Sequence, residues 1–356
     1  MGSALKTRGL AALLLAAAAS SASAGEASAP PRIPLVVGLT SVRSVVEPAG
    51  DYESINSVIG VGKDGYRFVV SAEVPDAPGG ATSELRVVRK VLAEDQRHAR
   101  VMRNRYNSID PESFAGTTPG ISAAVLDELK TSGHASLTLI QVRLVIGMPI
   151  ERPFVGTVSR VGTGPSTLAV LVNGRKVDLP VVHAKGPVSA GGKTEQLEFQ
   201  VLDNPEWPLL LTSTGPDFST HITRIEYPEP KGSTMSLERK LAENKPVDVY
   251  GIYFAFASAT IRPESDPVLL EIADALRAHP AWTLQVDGHT DGIGHADANL
   301  DLSKRRSAAV KAALVQRYGI TARRLQTDGH GAAQPKDSND TPEGRARNRR
   351  VELRRL

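Results

Sequence analysis

Cysteine is absent from all 356 residues. The chain therefore has no disulfides, no thiolate metal site and no cysteine nucleophile, and it has no residue to carry the acyl chain of a lipoprotein. Such a chain folds on its core alone. Aromatic residues make up 4% of the chain, few for the aromatic girdles of a membrane barrel. No apolar run beyond the N-terminus reaches the roughly 20 residues that a spanning helix needs. There is no excess of one charge either. Removing Lys6 and Arg8, which fall in the leader read below, from the 42 basic residues leaves 40 against 39 acidic ones. The electrostatic footprint of a nucleic-acid binder is missing. The eight histidines show no HExxH or other ligand spacing, and no GxSxG elbow is present. Nothing nominates an enzyme, a metal site or a cofactor.

What is present begins with an expected secretory signal peptide over residues 1–24. Lys6 and Arg8 form its positive n-region, Leu10 to Ala19 a short apolar h-region, and Ala22-Ser23-Ala24 a small-residue cleavage site. Residues 25–31 are small and Pro-rich. From residue 32 to 227 short runs rich in Val, Leu and Ile alternate with Gly, Pro, Asp and Asn turns, which predicts a mainly-β domain. Runs at 67–74, 137–145, 167–172 and 197–202 read as strands, Asn173-Gly174 as a hairpin turn, and Ile121 to Lys130 as one helix. Gly60-Val61-Gly62-Lys63-Asp64-Gly65 fits GxGxxG, but a dinucleotide fingerprint opens a helix and this one runs into Tyr66-Arg67-Phe68-Val69-Val70. It reads as a hairpin turn.

Residues 228–246 read as a linker with a short helix over Ser236–Glu243. A second domain, 247–356, is expected as α/β: strand 249–256, a helix with Leu269, Ile272, Ala273 and Leu276 on one face, a strand with Trp282, Leu284 and Val286 alternating, a helix through Leu302 to Leu314, and late strands at 324–327 and 350–353. Thr341-Pro342 opens a helical turn. Helices on one face of a small mixed sheet follow from that order. Arg345 to Arg355 holds six arginines against Glu352. It reads as a strand with solvated outer positions, with a phosphate site as the alternative.

The chemistry concentrates between Asp291 and Arg306. Asp291 follows the end of a strand, and Asn299 and Ser303 lie near the start of the next helix, where free backbone N–H groups favour a carboxylate. Arg306, one turn on, has the fork for a bidentate carboxylate contact, and Asp291 can accept from an ammonium. From charge alone two readings stand: a clamp for a zwitterion such as an amino-acid head group, or an internal Asp–Arg salt bridge. His289, Thr290 and His330 read as structural strand-end and turn residues.

Three segments in order, Gly288-His289-Thr290-Asp291-x-x-Gly294, Asn299-x-x-Leu302-Ser303-x-x-Arg306 and Asn348-Arg349-Arg350-Val351-Glu352, give residues 247–356 a close resemblance to the OmpA-like C-terminal domain, a peptidoglycan-binding module of Gram-negative envelopes. The resemblance implies that Asp291 binds the ammonium of meso-diaminopimelate in the stem peptide, that Arg306 binds its carboxylate with Asn299 assisting, and that Arg349 contributes from the last segment. Two positions depart from the family pattern: Ala257 in Phe254-Ala255-Phe256-Ala257-Ser258, where acidic or amide residues are common, and Ile293, where a small polar residue is common. The implied protein binds peptidoglycan without covalent chemistry. It is exported to the periplasm and associated with the outer membrane and wall, and its β-rich domain faces an outer-membrane or periplasmic partner. A small outer-membrane β-barrel tethered to the wall by its C-terminal domain is the alternative.

Overall fold

The computed structural model describes residues 32–75, 82–103, 112–113, 115–145, 148–228 and 237–356. The expected signal peptide and residues 25–31 lie outside these, as do residues 229–236 of the expected linker.

The first part is a large sheet. Its strands are β1 (Thr40–Glu47), β2 (Gly50–Gly62), β3 (Gly65–Pro75) and β4 (Thr82–Leu92), then, after the short helix α1 (Ala93–His98), β5 (Val101–Arg103). Helix α2 (Ala123–Thr131) precedes β6 (His134–Val145), β7 (Met148–Arg160), β8 (Ser166–Val172), β9 (Arg175–Ala190), β10 (Lys193–Leu202), β11 (Leu210–Gly215) and β12 (Phe218–Glu226). The order across the sheet is β4-β3-β2-β1-β12-β11-β10-β9-β7-β6-β5, with β8 between β12 and β9. Ser113 bridges to Lys90 of β4, and Thr117 to Met102 of β5. Lys90 N donates to Glu112 O on the β4 side, and Arg103 N donates to Thr117 O on the β5 side. Each outermost strand thereby gains one further backbone partner along its outer edge.

Each local reading has its physical cause. Asn173 and Gly174 both take positive φ (45° and 74°), which a two-residue primed turn requires, and they join β8 to β9. Gly62 and Gly65 pair across the turn between β2 and β3, so the GxGxxG stretch is a hairpin. Helix α2 is capped by Ser122, whose Oγ accepts from Val125 N, and it buries Val125, Leu126 and Leu129. Those residues pack with Leu139, Phe154 and Phe199 in one interior cluster, while Phe68, Leu179, Trp207 and Leu209 belong to a second. These large apolar side chains turn inward.

The C-terminal part has its own core. Its elements are α3 (Leu237–Ala242), β13 (Val247–Val249), α4 (Asp266–Ala278), β14 (Leu284–Gly288), α5 (Ala296–Gln316), β15 (Leu325–Gly329), α6 (Pro342–Asn348) and β16 (Val351–Arg355). The sheet order is β13-β16-β14-β15, with β14 and β15 parallel and the other pairs antiparallel. Leu284, Val286, Leu325, Val351 and Leu353 meet Leu241 of α3, Ile272 and Leu276 of α4, and Val310 and Leu314 of α5 in one cluster. The helix expected in the linker therefore contributes side chains to this core.

One expectation is corrected. The strand read over 249–256 stops at Val249. Beyond it, Ser265 Oγ accepts from Tyr253 N, and a single bridge joins Phe254 to Ile261. The aromatic run has strand propensity but no partner strand to pair with. Its tyrosines instead pack on the N-terminal sheet, Tyr253 against Val42 and Ile55 and Tyr250 over Gly174.

Candidate functional site

The site is built where β14 and β15 end. The two strands run in register to Gly288 and Gly329, and α5 crosses both. A Cβ on Gly288 would collide with the carbonyl oxygen of Ser303, and one on Gly329 with backbone atoms of Ser303 and Lys304. Glycine at both ends is what lets the helix approach so closely. Ser303 is fully buried in this crossing; its Oγ donates to Leu300 O and accepts from Gly331 N at 2.9 Å. Thr290 N donates to Gly331 O, and His289 N to Arg350 O. The chain leaves β14 with Asp291 facing the side of α5 that carries Asn299 and Arg306.

The loop after Asp291 is held from three directions. Asp291 Oδ1 accepts from Ile293 N at 3.1 Å. Asn299 Nδ2 donates to Ile293 O at 2.9 Å and to Asp291 O at 3.3 Å. Gly292 N donates to Asn339 Oδ1, which also accepts from Asn348 Nδ2, both at 2.9 Å. Asn348 is fully buried, and its Oδ1 accepts from Lys336 N and Asp337 N. The three sequence segments thus meet in one hydrogen-bond network.

The charges are arranged differently from a simple Asp–Arg pair. Arg349 Nη1 donates to Asp291 Oδ2 at 2.6 Å, and its Nη2 donates to Glu53 of β2. Arg306 Nε donates to Ser258 O at 3.0 Å, and its guanidinium lies 4.8 Å over the Phe254 ring. Among the described residues the Nη groups of Arg306 have no hydrogen-bond partner, although Arg306 is largely buried. Burial, with the neighbouring Arg349 charge, pulls its pKa down to about 10 against the pull of Asp291 and Glu53. Burial alone would lower Arg349 and raise Glu53. Their mutual attraction outweighs it, with Asp291 also acting on Arg349 and with Arg224 and Arg306 acting on Glu53, so the arginine is raised and the carboxyl lies below its ordinary range.

Residues 253–349 match the model of the OmpA family. Over 101 residues the chain is 46% identical to outer membrane protein A of Bordetella avium, spanning 28% of this chain and 52% of that protein. Over 146 residues the chain is 36% identical to the peptidoglycan-binding protein ArfA of Mycobacterium tuberculosis, 40% of this chain and 44% of that one. Among solved structures, the cell wall anchor of the T6SS from Pseudomonas aeruginosa is 38% identical over 30% of this chain and 76% of that chain, with a TM-score of 0.27. The chain spans about half the length of these curated relatives.

Within the OmpA-like region the structure brings Asp291, Asn299, Arg306 and Arg349 together around one loop, each in a particular role. Asn299 holds the loop backbone. Arg349 pairs with Asp291, and Arg306 keeps free donors. The internal Asp291–Arg306 salt bridge does not form, because Arg349 takes the Asp291 partnership. The start of α5 has no side-chain cap, so the free N–H groups lie at 296–298, while Asn299 N already donates to His295 O. The arginine run is neither one solvated strand nor a phosphate cluster: Arg345 and Arg347 lie in α6, and Arg350 is buried. Arg345 donates to Asn339 O, Arg347 to Asp337, Arg349 to Asp291 and Arg350 to Asp248.

Sequence reading missed the residues that reach this site from the N-terminal sheet. Glu53 is one. Glu73 of β3 is the other: its Oε2 accepts from Phe256 N and its Oε1 pairs with Arg262 at 2.9 Å, fixing the loop that offers Ser258 O to Arg306. Glu53 and Arg349 are 296 positions apart, and Glu53 has the outward polar place of an ordinary alternating strand. No local signal marks it.

Proposed function

We propose that this chain is a non-enzymatic peptidoglycan-binding protein of the Gram-negative cell envelope. In this reading residues 247–356 hold the wall through the meso-diaminopimelate head group of the stem peptide. Residues 32–227 form a β-rich domain that meets an outer-membrane or periplasmic partner, and 228–246 join the two. The chain is exported to the periplasm and tethers the wall to the outer membrane. Support comes from the OmpA-family match over 253–349 and from relatives named as outer membrane and peptidoglycan-binding proteins.

The observation that carries the reading is the guanidinium of Arg306, ordered by Ser258 O and Phe254 yet with unspent Nη donors, on the helix beside Asp291. Two parallel Nη donors suit a carboxylate. Asp291 is held by Arg349 and Ile293 N, with 15% of its side chain exposed to accept from an ammonium. Ala257 takes a left-handed backbone conformation (φ 48°), and its methyl adds no side-chain hydrogen bond, a contact worth about 1 kcal/mol. Ile293 serves Asp291 through its backbone, and its side chain is exposed. Rebinding along a repeating polymer offsets a modest affinity per site.

Co-sedimentation with purified diaminopimelate-type peptidoglycan tests this. Wild type should pellet, and folded Asp291→Ala and Arg306→Ala variants should stay in solution. Wild type left in the supernatant refutes it.

A further inference from the structure

Beyond the wall site itself, the structure shows that the site is not open on all sides. Arg349 spans two carboxylates, Asp291 from its own fold and Glu53 from β2. The cations acting on Glu53 include Arg349 and Arg306, the pair that a ligand carboxylate would approach. On the next strand, Glu73 grips the loop that orients Arg306. Nearby, the buried carboxylate of Glu264 receives Arg86 of β4 and Ser71 Oγ of β3. The N-terminal sheet thus reaches the candidate site through polar contacts, beside the apolar packing of Tyr253 on Val42 and Ile55.

We propose that Glu53 is an internal competitor for the ligand carboxylate, a latch by which the N-terminal sheet holds the peptidoglycan site partly shut. The proposal rests on the zwitterion reading of Asp291 and Arg306. A ligand carboxylate at Arg306 is repelled by Glu53 and gains Arg349 only when Glu53 lets go. The Glu53 side chain is 40% exposed, so its ion pair with Arg349 is breakable and water can replace it. That suits a latch better than a core contact. Apparent affinity for the wall is then reduced by the fraction of molecules with Glu53 in place. Coupling is reciprocal: wall binding loosens the sheet's hold, and a partner that draws the sheet away strengthens wall binding.

The test is titration of the full exported chain with free meso-diaminopimelate, comparing wild type with Glu53→Gln and Glu53→Lys. Asp291→Ala serves as the binding-dead reference, and thermal melts verify folding. Glu53→Gln keeps the shape and removes the charge, and should bind about fivefold tighter, the worth of one half-exposed ion pair. Glu53→Lys, which cannot pair with Arg349, should tighten binding at least as much and stands in if the glutamine variant folds poorly. Equal affinities for wild type and the Glu53 variants overturn the latch and leave the zwitterion site standing. Weaker binding by the Glu53 variants also overturns it and makes Glu53 a ligand contact. Binding by none of the proteins overturns both the latch and the site.

Discussion

Replacing Asn348 with alanine removes four hydrogen bonds from a fully buried position: acceptance from Lys336 N at 2.8 Å and Asp337 N at 3.0 Å, and donation to Asp337 O at 2.8 Å and Asn339 Oδ1 at 2.9 Å. At about 1 kcal/mol net for each bond the sum is about 4 kcal/mol. Water entering the loop recovers part of it, so the expected loss is about 3 kcal/mol. The assay is urea unfolding followed by Trp282, which packs on the C-terminal core, in a Trp207→Phe background that silences the N-terminal core. Asn348→Asp keeps the acceptor but sets a charge against Asp337 O and Asn339 Oδ1, so it should not rescue. Because Asn339 also holds Gly292 N, either variant should loosen the Asp291 loop and weaken peptidoglycan pelleting. A loss under about 1 kcal/mol, with pelleting intact, would show that the loop does not hang on this residue.

Gly288→Ala should destabilise the C-terminal fold by about 2–3 kcal/mol, since the colliding atom is the backbone oxygen of Ser303 and cannot rotate away; a near-neutral melt would refute the close crossing. His289 is buried, both its ring nitrogens lack partners among the described residues, and burial with the Arg350 charge pulls its pKa to about 3 from an ordinary 6.5. The unfolded chain therefore binds this proton first, and stability should fall as pH drops from about 6.5 toward 3, by up to about 1.4 kcal/mol per pH unit. His289→Phe should flatten that slope in pH-dependent melts. Glu226 behaves oppositely: burial raises its pKa to about 7, so its contribution is fullest below about 4.5 and is lost as pH rises to 7. Glu226→Gln should raise Tm at pH 8 and leave it little changed at pH 4.5.

The local grammar was readable. Asn173-Gly174, the Gly62–Gly65 hairpin, the Ser122-capped helix and the apolar face of α4 all follow from turn chemistry and periodicity. The spacing of Asp291, Asn299, Arg306 and Arg349 was visible because each lies within a short segment with its own pattern. Their partnerships were not. Which carboxylate Arg349 takes depends on a fold that also brings Glu53 close, and the strand order of the large sheet is a matter of long-range pairing. The strand expected over 249–256 failed for the same reason: its propensity was sound, but its aromatic rings found the neighbouring sheet before any strand. Charge density at residues 345–355 likewise says nothing of where each guanidinium goes, and four of them go to partners within the fold.

The placement of β16 bears on how the protein is made. That strand, the last of its sheet in sequence, sits between β13 and β14 in space. Val247 to Val249 therefore have no neighbouring strand until residues 351–353 have been delivered across the membrane. The N-terminal sheet has its whole set of strands long before. Vectorial production thus gives two unequal waiting times. In the longer one Asp291, Asn299 and Arg306 exist as chain but not as a site, because Asn348 and Arg349, which organise them, arrive with the final stretch.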